Sequence, residues 1–292
     1  MVKIAHLGPA GTYAEAATLA YDRWRRSHHF PPSDLQPYAS IPQTLQALAA
    51  GTVDLAVVPV ENSIEGGVTT TLDTLWQLDE LQLQEALVLP IQHALITSTP
   101  LAQLEQIYSH PQALAQCQQW LEDHVPQAQR IPANSTAEAL HDLTDQPTAA
   151  AIASPRAAEL YNLPIAAFPI NDRPDNCTKF WVFGQKDTAI AIPPGSHTAL
   201  AYSLPKNVPG ALVKTLQLFA AHDINLSRIE SRPTKRSLGE YLFFVDLEAG
   251  VQDERVQATL GDLDAHTETL KVFGSYNTID LEVVTQLLQP KG

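Results

Sequence analysis

Short apolar runs alternate with segments of helical period over the first 185 residues of the chain. Apolar runs of this kind predict buried strands at residues 2–7, 54–60, 107–109, 149–153 and 180–183. The helix starts between them carry capping sequences, in which Ser or Thr is followed by Glu or Gln three residues later or directly by Pro. These starts are at Thr12, Ser40, Ser135 and Ser154. Strands that alternate with capped helices predict an open α/β sheet with right-handed crossovers.

A second, shorter pattern follows residues 186–197, a stretch with Pro and Gly that is typical of a linker. The elements that it predicts are a strand at 198–204, a helix at 209–222, strands at 224–231 and 240–248, a helix at 253–263 and a strand at 267–273. This βαββαβ order is that of a ferredoxin-like α+β unit. In the remaining tail, 276–292, Leu281, Val284 and Leu287 recur at helical spacing, and we expect them to pack on a neighbouring surface.

The loops after the predicted strands are the expected place for a ligand. In open α/β sheets, ligands bind beyond the carboxyl ends of the strands, where helix N-termini present N–H groups. Those loops are 8–12, 61–67, 109–110 and 134–136, and all are rich in small or hydroxyl residues. Either they serve only as caps and turns, or together they hold a carboxylate without a basic surface.

Composition narrows the class of protein. With 292 residues the chain is long enough for two domains and for a core that needs no disulfide or metal. Its net charge of −14 argues against nucleic acid or an anionic membrane as a partner. The sequence has no secretory signal and no apolar stretch of membrane-spanning length, so we expect a cytoplasmic protein.

Cysteine usage and motif content predict chemistry without a metal or a cofactor. Cys117 and Cys177 belong to no C-x-x-C pair, so we expect a reduced core thiol at 117 and no zinc site. Phosphate-loop, dinucleotide-binding, zinc-protease and nucleophile-elbow motifs do not occur in the sequence. We therefore expect a small, anionic ligand at the strand ends.

Five short motifs resemble those of one enzyme family. They are Gly8-Pro9-Ala10-Gly11-Thr12-Tyr13, Val60-Glu61-Asn62-Ser63-Ile64-Glu65-Gly66, Asp175-Asn176-Cys177-Thr178-Lys179-Phe180, Gly210-Ala211-Leu212-Val213 and Glu230-Ser231-Arg232-Pro233. The first three are similar to signatures of prephenate dehydratase, and the last two to the phenylalanine-binding motifs of its ACT domain. The motifs stand in the right order and spacing over essentially the whole chain.

The resemblance implies a fold: an α/β two-lobed catalytic domain of the type II periplasmic-binding-protein kind, followed by a ferredoxin-like ACT domain. The expected boundaries are 1–185 for the catalytic domain, 186–197 for the linker, 198–275 for the ACT domain and 276–292 for the tail. Within the catalytic domain, one lobe would comprise 1–78 with 176–185 and the other 79–175. The chain would cross outward near 76–81 and return along the strand 178–183. The sequence has no chorismate mutase or dehydrogenase segment, which is expected of the monofunctional form.

The resemblance also implies a reaction, the loss of carbon dioxide and water from prephenate to give phenylpyruvate, with no cofactor. Thr178 is implied as the essential residue. Because a Thr hydroxyl is a poor acid at neutral pH, we expect it to donate a hydrogen bond to the departing hydroxyl within a proton relay. The residues implied in substrate binding are Thr12, Asn62, Ser63, Ser109, Lys179 and Phe180. For His110, a role as proton donor and a role as helix cap both stay open.

One motif residue departs from the family pattern. The family has Thr-Arg-Phe where this chain has Thr178-Lys179-Phe180, and Lys lacks the planar fork with which Arg grips a carboxylate. If Lys179 faces the substrate, binding should be weaker or differently arranged. If it points away on its strand, the change should be nearly neutral. Glu61 and Glu65 would repel a dianion, so we expect them in supporting or capping positions.

In the second unit, the resemblance implies a phenylalanine site formed across two ACT domains, and hence a homodimer or homotetramer. The implied residues are Gly210, Ala211, Leu212, Asn225, Leu226, Glu230, Ser231 and Arg232. Two other interpretations stay open: an arogenate dehydratase, which performs the same chemistry on an amino acid, and a non-catalytic amino-acid sensor. Thr178 argues against the sensor.

Overall fold

The structure is a computed structural model that describes residues 1–136, 138–143, 146–186 and 194–281. The strands are β1 Val2–Leu7, β2 Ser33–Tyr38, β3 Leu55–Asn62, β4 Gly66–Gly67, β5 Leu81–Pro90, β6 Ala94–Ile96, β7 Gln106–Ser109, β8 Gln129–Pro132, β9 Ala149–Ala153, β10 Ile165–Ala167, β11 Cys177–Gln185, β12 His197–Ser203, β13 Leu226–Pro233, β14 Tyr241–Leu247 and β15 Thr269–Asp280. The α-helices are α1 Tyr13–Ser27, α2 Ile41–Ala49, α3 Thr69–Gln77, α4 Pro111–Gln116, α5 Gln118–His124, α6 Pro155–Leu160, α7 Ala211–Ala221 and α8 Glu254–Asp264. Two 3-10 helices span Leu101–Gln103 and Glu138–Leu143.

Within the described residues, the strands form two sheets. The larger has the order β13-β14-β12-β15-β5-β11-β3-β1-β2, with β4 paired to β3. In it, β1 lies parallel to β2 and β3, whereas β11 runs antiparallel to both β3 and β5. The smaller sheet has the order β10-β6-β9-β7-β8, with β7 parallel to β8 and β9. The first unit (β1 to β11) thus has two α/β lobes, one on each sheet.

Capping residues begin the helices where the sequence predicted them. Thr12 in α1, Ser40 in α2 and Ser154 in α6 each accept a hydrogen bond from a backbone N–H of the helix's first turn. Ser135 precedes the 3-10 helix Glu138–Leu143 in place of the predicted α-helix. The caps fix where each helix starts after its strand, and so which N–H groups face the gap between the lobes.

The chain crosses to the second lobe later than predicted. β5 pairs with β11 along its whole length, so residues 81–90 belong to the sheet of the first lobe. The outward crossing therefore follows Pro90 and does not lie near 76–81. This strand was not predicted, because Gln82, Gln84 and Glu85, which are good helix formers, interrupt its apolar run. The edge strand β2 was also not predicted. It contains Pro37, which an edge position tolerates.

The βαββαβ order of the second unit (β12 to β15, with α7 and α8) is confirmed. Its last strand is longer than predicted, since β15 extends to Asp280 and pairs in parallel with β5 from Asn277 onward. The predicted start of the tail at 276 therefore falls inside a strand. Residues 282–292, which include Val284 and Leu287, and residues 187–193 of the predicted linker lie outside the described residues.

The sheet of the second unit is covered on both faces. Helices α7 and α8 pack on one face, over side chains such as Tyr202 and Val245. On the other face, Phe244 and Phe273 share one apolar cluster with Trp181 of β11. The second unit therefore packs directly on β11, the strand that carries the predicted residue Thr178.

Candidate functional site

A cavity of about 340 Å³ lies between the two lobes. The lining residues of the first lobe include Leu7, Thr12, Tyr13, Ala14, Ile41, Pro59, Asn62, Val68, Thr178 and Phe180. Those of the second lobe are His110, Gln112, Ala113, Gln116, Asn134, Ser135 and Thr136, and Ile91 and His93 lie where the chain crosses. All four loops predicted from the strand ends contribute a residue to this wall.

The Thr178 hydroxyl lies at the cavity wall and accepts a hydrogen bond from Asn62. Thr178 of β11 lies opposite Asn62 of β3 in the ladder, and its side chain lines the cavity. Asn62 Oδ1 accepts the backbone N–H groups of Ile64 and Glu65, both at 3.1 Å. Its Nδ2 must therefore face Thr178, and it donates to Thr178 Oγ1 at 3.0 Å. Because Thr178 accepts this bond, its own proton is available to donate into the cavity.

A chain of amides leads from this pair to the second lobe. Asn62 Nδ2 also donates to Asn176 Oδ1 at 2.9 Å, and Asn176 Nδ2 donates to Gln116 Oε1 at 3.0 Å. The same oxygen of Gln116 lies 3.0 Å from His93 Nε2. The network thus joins β3, the segment before β11, helix α4 and the crossing segment. It ties both lobes to the position of Thr178.

The polarity of this network fixes the tautomer of His93. Since Gln116 Oε1 accepts, His93 Nε2 must carry the proton, and Nδ1 is left as an acceptor. The Tyr13 hydroxyl lies 2.8 Å from that Nδ1 and 2.9 Å from the Gln92 carbonyl oxygen, and its one proton serves these two acceptors. Burial lowers the pKa of His93, which keeps the ring neutral, and burial raises the pKa of Tyr13 well above its usual value, which keeps its proton in place. The amide network therefore ends on a neutral imidazole at the back of the cavity.

His110 is both a helix cap and part of the cavity wall. Its Nδ1 accepts the backbone N–H of Gln112 at 3.3 Å at the start of α4. In the neutral ring this bond places the proton on Nε2. The capping role left open by the sequence is thus present, and it leaves an N–H donor on a residue that lines the cavity.

The polar groups of the cavity wall stand among apolar side chains and carry no fixed positive charge. Among the described residues, no Lys or Arg lines the cavity, so its donors are amides, hydroxyls, imidazoles and backbone N–H groups. In that same part of the chain, no group of three or more His, Cys, Asp or Glu is arranged to hold a metal ion. Such a wall suits a small anion held by directed hydrogen bonds.

Two residues predicted to bind substrate do not line the cavity. Ser109 is fully buried, and its Oγ donates to the Ile152 carbonyl at 2.6 Å. Ser63 is exposed, and its Oγ accepts the backbone N–H of Cys177 at 3.0 Å, which ties the turn after β3 to β11. Both hydroxyls are therefore used to join strands.

Two further predicted residues are placed differently from what the resemblance implied. Lys179 lies on the face of β11 away from the cavity, because successive side chains of a strand alternate, and its Nζ is 3.3 Å from Glu61 Oε2. Thr12 does line the cavity, but its hydroxyl donates to the Leu7 carbonyl and caps α1. Phe180 lines the cavity as predicted.

Sequence analysis missed Tyr13, His93, Gln116 and Asn176. Tyr13 and Asn176 stand inside the quoted motifs, so the motif alone could have drawn attention to them. Gln116 precedes Cys117, whose thiol is buried as predicted and has its pKa raised to about 12 by that burial. No local pattern links Gln116 to Asn176, since they lie far apart in sequence.

The residues predicted for a phenylalanine site lie at the start of α7 and along β13. Gly210 begins α7 with φ of 82°, and a Cβ built there meets no atom within 4 Å. The left-handed backbone, and not crowding within the chain, therefore explains the glycine. Ala211 and Leu212 form the first turn of α7, and Leu226 begins β13.

The polar members of that set make contacts within the chain. Asn225 donates to Glu248 at 2.9 Å. Arg232 forms a two-bond ion pair with Asp73 of α3, with both distances at 3.2 Å. The Glu230 carboxylate packs so closely on Gly67 that a Cβ there would overlap it, while Ser231 is exposed. Part of this set therefore joins the second unit to the first.

Comparison with known proteins agrees with this architecture. Residues 4–188 match the family model described as prephenate dehydratase, and residues 199–265 match that of the ACT domain. The chain is 40% identical to the bifunctional chorismate mutase/prephenate dehydratase of Aquifex aeolicus, over 94% of this chain and 73% of that protein. It is 34% identical to the prephenate dehydratase of Lactococcus lactis, over 96% of this chain and 99% of that protein.

A solved structure has the same fold. The prephenate dehydratase of Arthrobacter aurescens in complex with L-Phe superposes with a TM-score of 0.84 at 34% identity, covering 94% of this chain and 90% of that one. Fold and cleft therefore define a two-lobed α/β protein joined to an ACT domain. The chain belongs to the prephenate dehydratase family. No helix in the described ranges is long and apolar enough to cross a membrane.

Proposed function

We propose that the protein is a prephenate dehydratase that converts prephenate to phenylpyruvate, carbon dioxide and water. The observation that carries the proposal is the place of the Thr178 hydroxyl. Asn62 donates to its oxygen at the cavity wall, so the hydroxyl proton is available to donate to a substrate in the cavity. A donor held in place before the reaction stabilises charge that develops only in the transition state.

For this reaction, a hydrogen-bond donor placed against the departing hydroxyl matters more than a strong acid. The bond between the ring and its carboxylate breaks, and its electron pair enters the ring, which becomes aromatic. The C4–oxygen bond breaks with its pair on the oxygen, which takes up a proton and leaves as water. Thr178 hydrogen-bonds that oxygen as charge builds on it, and a proton relayed from solvent through the hydroxyl completes the water.

The rest of the wall suits the two carboxylates and the ring of prephenate. The N–H of His110 and the polar residues at 134–136 would hold the carboxylates from the second lobe. Thr12 would contribute through the N-terminus of α1, since its hydroxyl is used in capping. Phe180 offers an apolar surface to the ring, and Ser63 supports the site by joining the turn after β3 to β11.

The two alternative functions are a non-catalytic sensor and an arogenate dehydratase. Lys179, where the family has Arg, faces away from the cavity, so its identity does not argue for a sensor that binds without turnover. Arogenate differs from prephenate by an ammonium group in place of a keto oxygen. Among the described residues, those that line the cavity offer hydroxyl and imidazole donors for a keto acid and no carboxylate to pair with an ammonium group, which favours prephenate.

Regulation by L-phenylalanine belongs to the same proposal. The solved relative contains L-Phe, and this chain carries the two motifs in its ACT domain, which we take as 198–275, after a catalytic domain at 1–185. Gly210, with its left-handed backbone, would present N–H groups of α7 to the ligand. We propose a homodimer or homotetramer in which residues 225–232 of one ACT domain complete the site of its neighbour.

The test is steady-state turnover of prephenate, followed as phenylpyruvate, with arogenate in parallel and with phenylalanine added. We expect turnover of prephenate that falls when phenylalanine is added. Thr178→Ala should lose about 10²-fold or more in kcat, because the donor is gone. Thr178→Ser keeps the hydroxyl and its bond from Asn62, so it should retain most of the activity.

Thr74→Ala is the matched control, since it removes a hydroxyl of α3 that does not line the cavity and bonds only within its own helix. A Thr178→Ala variant that keeps more than about a tenth of the wild-type rate would sink the role of Thr178. Turnover of arogenate alone would replace the substrate, and no turnover of either would leave the sensor.

A further inference from the structure

The two faces of β11 serve different parts of the molecule. Thr178 and Phe180 line the cavity, whereas Lys179 and Trp181 alternate to the opposite face. Trp181 is fully buried there against the ACT domain. Lys179 and Trp181 are thus held by the ACT domain, each one position away from a residue that lines the cavity.

On the opposite face of the same two strands, an ion pair lies next to the Thr178–Asn62 pair. In the ladder between β3 and β11, Thr178 lies opposite Asn62, and Lys179 lies opposite Glu61. Lys179 Nζ is 3.3 Å from Glu61 Oε2 and 3.9 Å from Asp246 Oδ2. Asp246 belongs to β14 of the ACT domain. One side chain therefore links the catalytic strand pair to the other domain.

Asp246 is held rigidly. It is 0% exposed, and Arg228 binds both of its oxygens at 3.2 Å, while the Tyr276 hydroxyl donates to Oδ2 at 3.2 Å. A buried carboxylate keeps its charge only with such partners. The guanidinium of Arg228 also lies 5.0 Å from the centre of the Trp181 ring. Asp246 is thus a fixed point, placed by the ACT domain against the back of β11.

The backbone beside Lys179 is where the register of the strand changes. Lys179 lies opposite Glu61, but Phe180 lies opposite Pro59, so one residue of β3 bulges between them. A bulge re-aims the side chains next to it and leaves local pairing less constrained by the ladder. Contacts on the back face are therefore needed to hold Thr178 and Asn62 opposite each other.

We propose that Asp246 is a positioning residue for Thr178, acting through Lys179. The ACT domain thereby sets the register of the strand that carries the catalytic hydroxyl, and its position bears directly on the rate. This inference rests on the proposed function, since it concerns the same hydroxyl. Lys at 179 reaches Asp246 only at 3.9 Å, whereas the planar fork of Arg could bridge both carboxylates.

The experiment compares kcat, KM and melting temperature for the full-length wild type and for Asp246→Asn, Lys179→Met and the double variant. We expect each single variant to lose about tenfold in kcat with little change in KM, because a small displacement of a positioned group costs rate before it costs binding. The double variant should lose no more than either single variant, because both break the same link. Lys179→Arg should keep the wild-type kcat or exceed it, because Arg can bridge both carboxylates.

Asp73→Asn is the matched control. Asp73 also forms ion pairs across the interface of the two domains, with Arg232 and Lys235, but it does not touch β11. It should lower the melting temperature without lowering kcat in the absence of phenylalanine. The same outcome for Asp246→Asn, a lower melting temperature with unchanged kcat, would reduce Asp246 to a structural role and overturn the inference.

Additive losses in the double variant would also overturn it, since Asp246 and Lys179 would then act separately. A wild type that turns over neither prephenate nor arogenate overturns the proposed function and, with it, this inference. An active wild type with an unaffected Asp246→Asn overturns this inference alone.

Discussion

The orientation of the Asn62 amide determines that Thr178 Oγ1 accepts a hydrogen bond and keeps its own proton for another acceptor. Two backbone N–H groups in the turn after β3 hold Asn62 Oδ1, and every later bond in the network follows from that choice. Motif resemblance supplied Thr178 and Asn62, because both lie in contiguous signatures. It did not supply Gln116 or His93, because their contacts are made by the crossing between lobes and leave no trace in local sequence.

The protonation of His93 predicts how stability depends on pH. Burial lowers its pKa below the unfolded value of about 6.5, so the folded protein binds fewer protons than the unfolded chain between the lowered value and about 6.5. Stability should therefore fall as the pH drops through that window, by up to about 1.4 kcal/mol per pH unit for one group. Replacing His93 by Asn should remove this share of the slope.

The measurement is the free energy of unfolding by urea at several values between pH 5 and pH 8, in intervals of about half a unit. His29→Asn is the control, because His29 is exposed and its left-handed backbone accepts Asn. An identical slope for wild type and His93→Asn would contradict the assignment. Buried His6 and Glu85, whose pKa values are also shifted by burial, are common to both proteins and cancel.

At the scale of elements, prediction succeeded where one face of an element is apolar or a cap is present. It failed where an element is defined by its neighbours. β5 contains helix-forming residues, yet it lies between β11 and β15, which supply its hydrogen bonds. The end of β15 was predicted as a tail because the local sequence does not show that β5 of the first unit pairs with it. β5 and β15 pair with each other across the boundary between the domains. Both predictions failed because the sequence of one domain does not show its pairing with the other.

Two glycines test opposite effects of adding a methyl group to an element. Gly261 lies inside α8, and a Cβ built there meets no atom within 4 Å. Gly261→Ala should stabilise the protein by about 0.5–1 kcal/mol, because Ala loses less backbone entropy in a helix. In Gly67→Ala the new methyl group would overlap the Glu230 carboxylate, which sits at the end of a flexible side chain and must move aside, so we expect destabilisation by at most about 1 kcal/mol.

Urea unfolding of both variants beside the wild type provides the comparison. Equal shifts in the same direction would contradict the packing described at Gly67. An unchanged Gly67→Ala would mean that Glu230 moves aside at no cost.

At the scale of the whole molecule, the two domains share a sheet and a core. β15 pairs with β12 of the ACT domain and then with β5 of the catalytic domain. Phe244 and Phe273 pack in one cluster with Trp181. Sequence patterns could not show this union, because burial of β11 by another domain is a property of the assembled fold.

The shared core predicts that the two domains unfold together. Phe273 is 1% exposed, and Phe273→Ala should cost about 3–5 kcal/mol by leaving a cavity between the sheets. The loss should appear as one transition moved to lower urea, with the same midpoint for Trp fluorescence and for far-UV circular dichroism. Val213→Ala, at an exposed apolar position of α7, is the control and should leave the midpoint nearly unchanged. Two separate transitions in the wild type would show that the cluster does not couple the domains. A single transition that the Phe273 variant shifts as a whole is what a continuous sheet and a common core require.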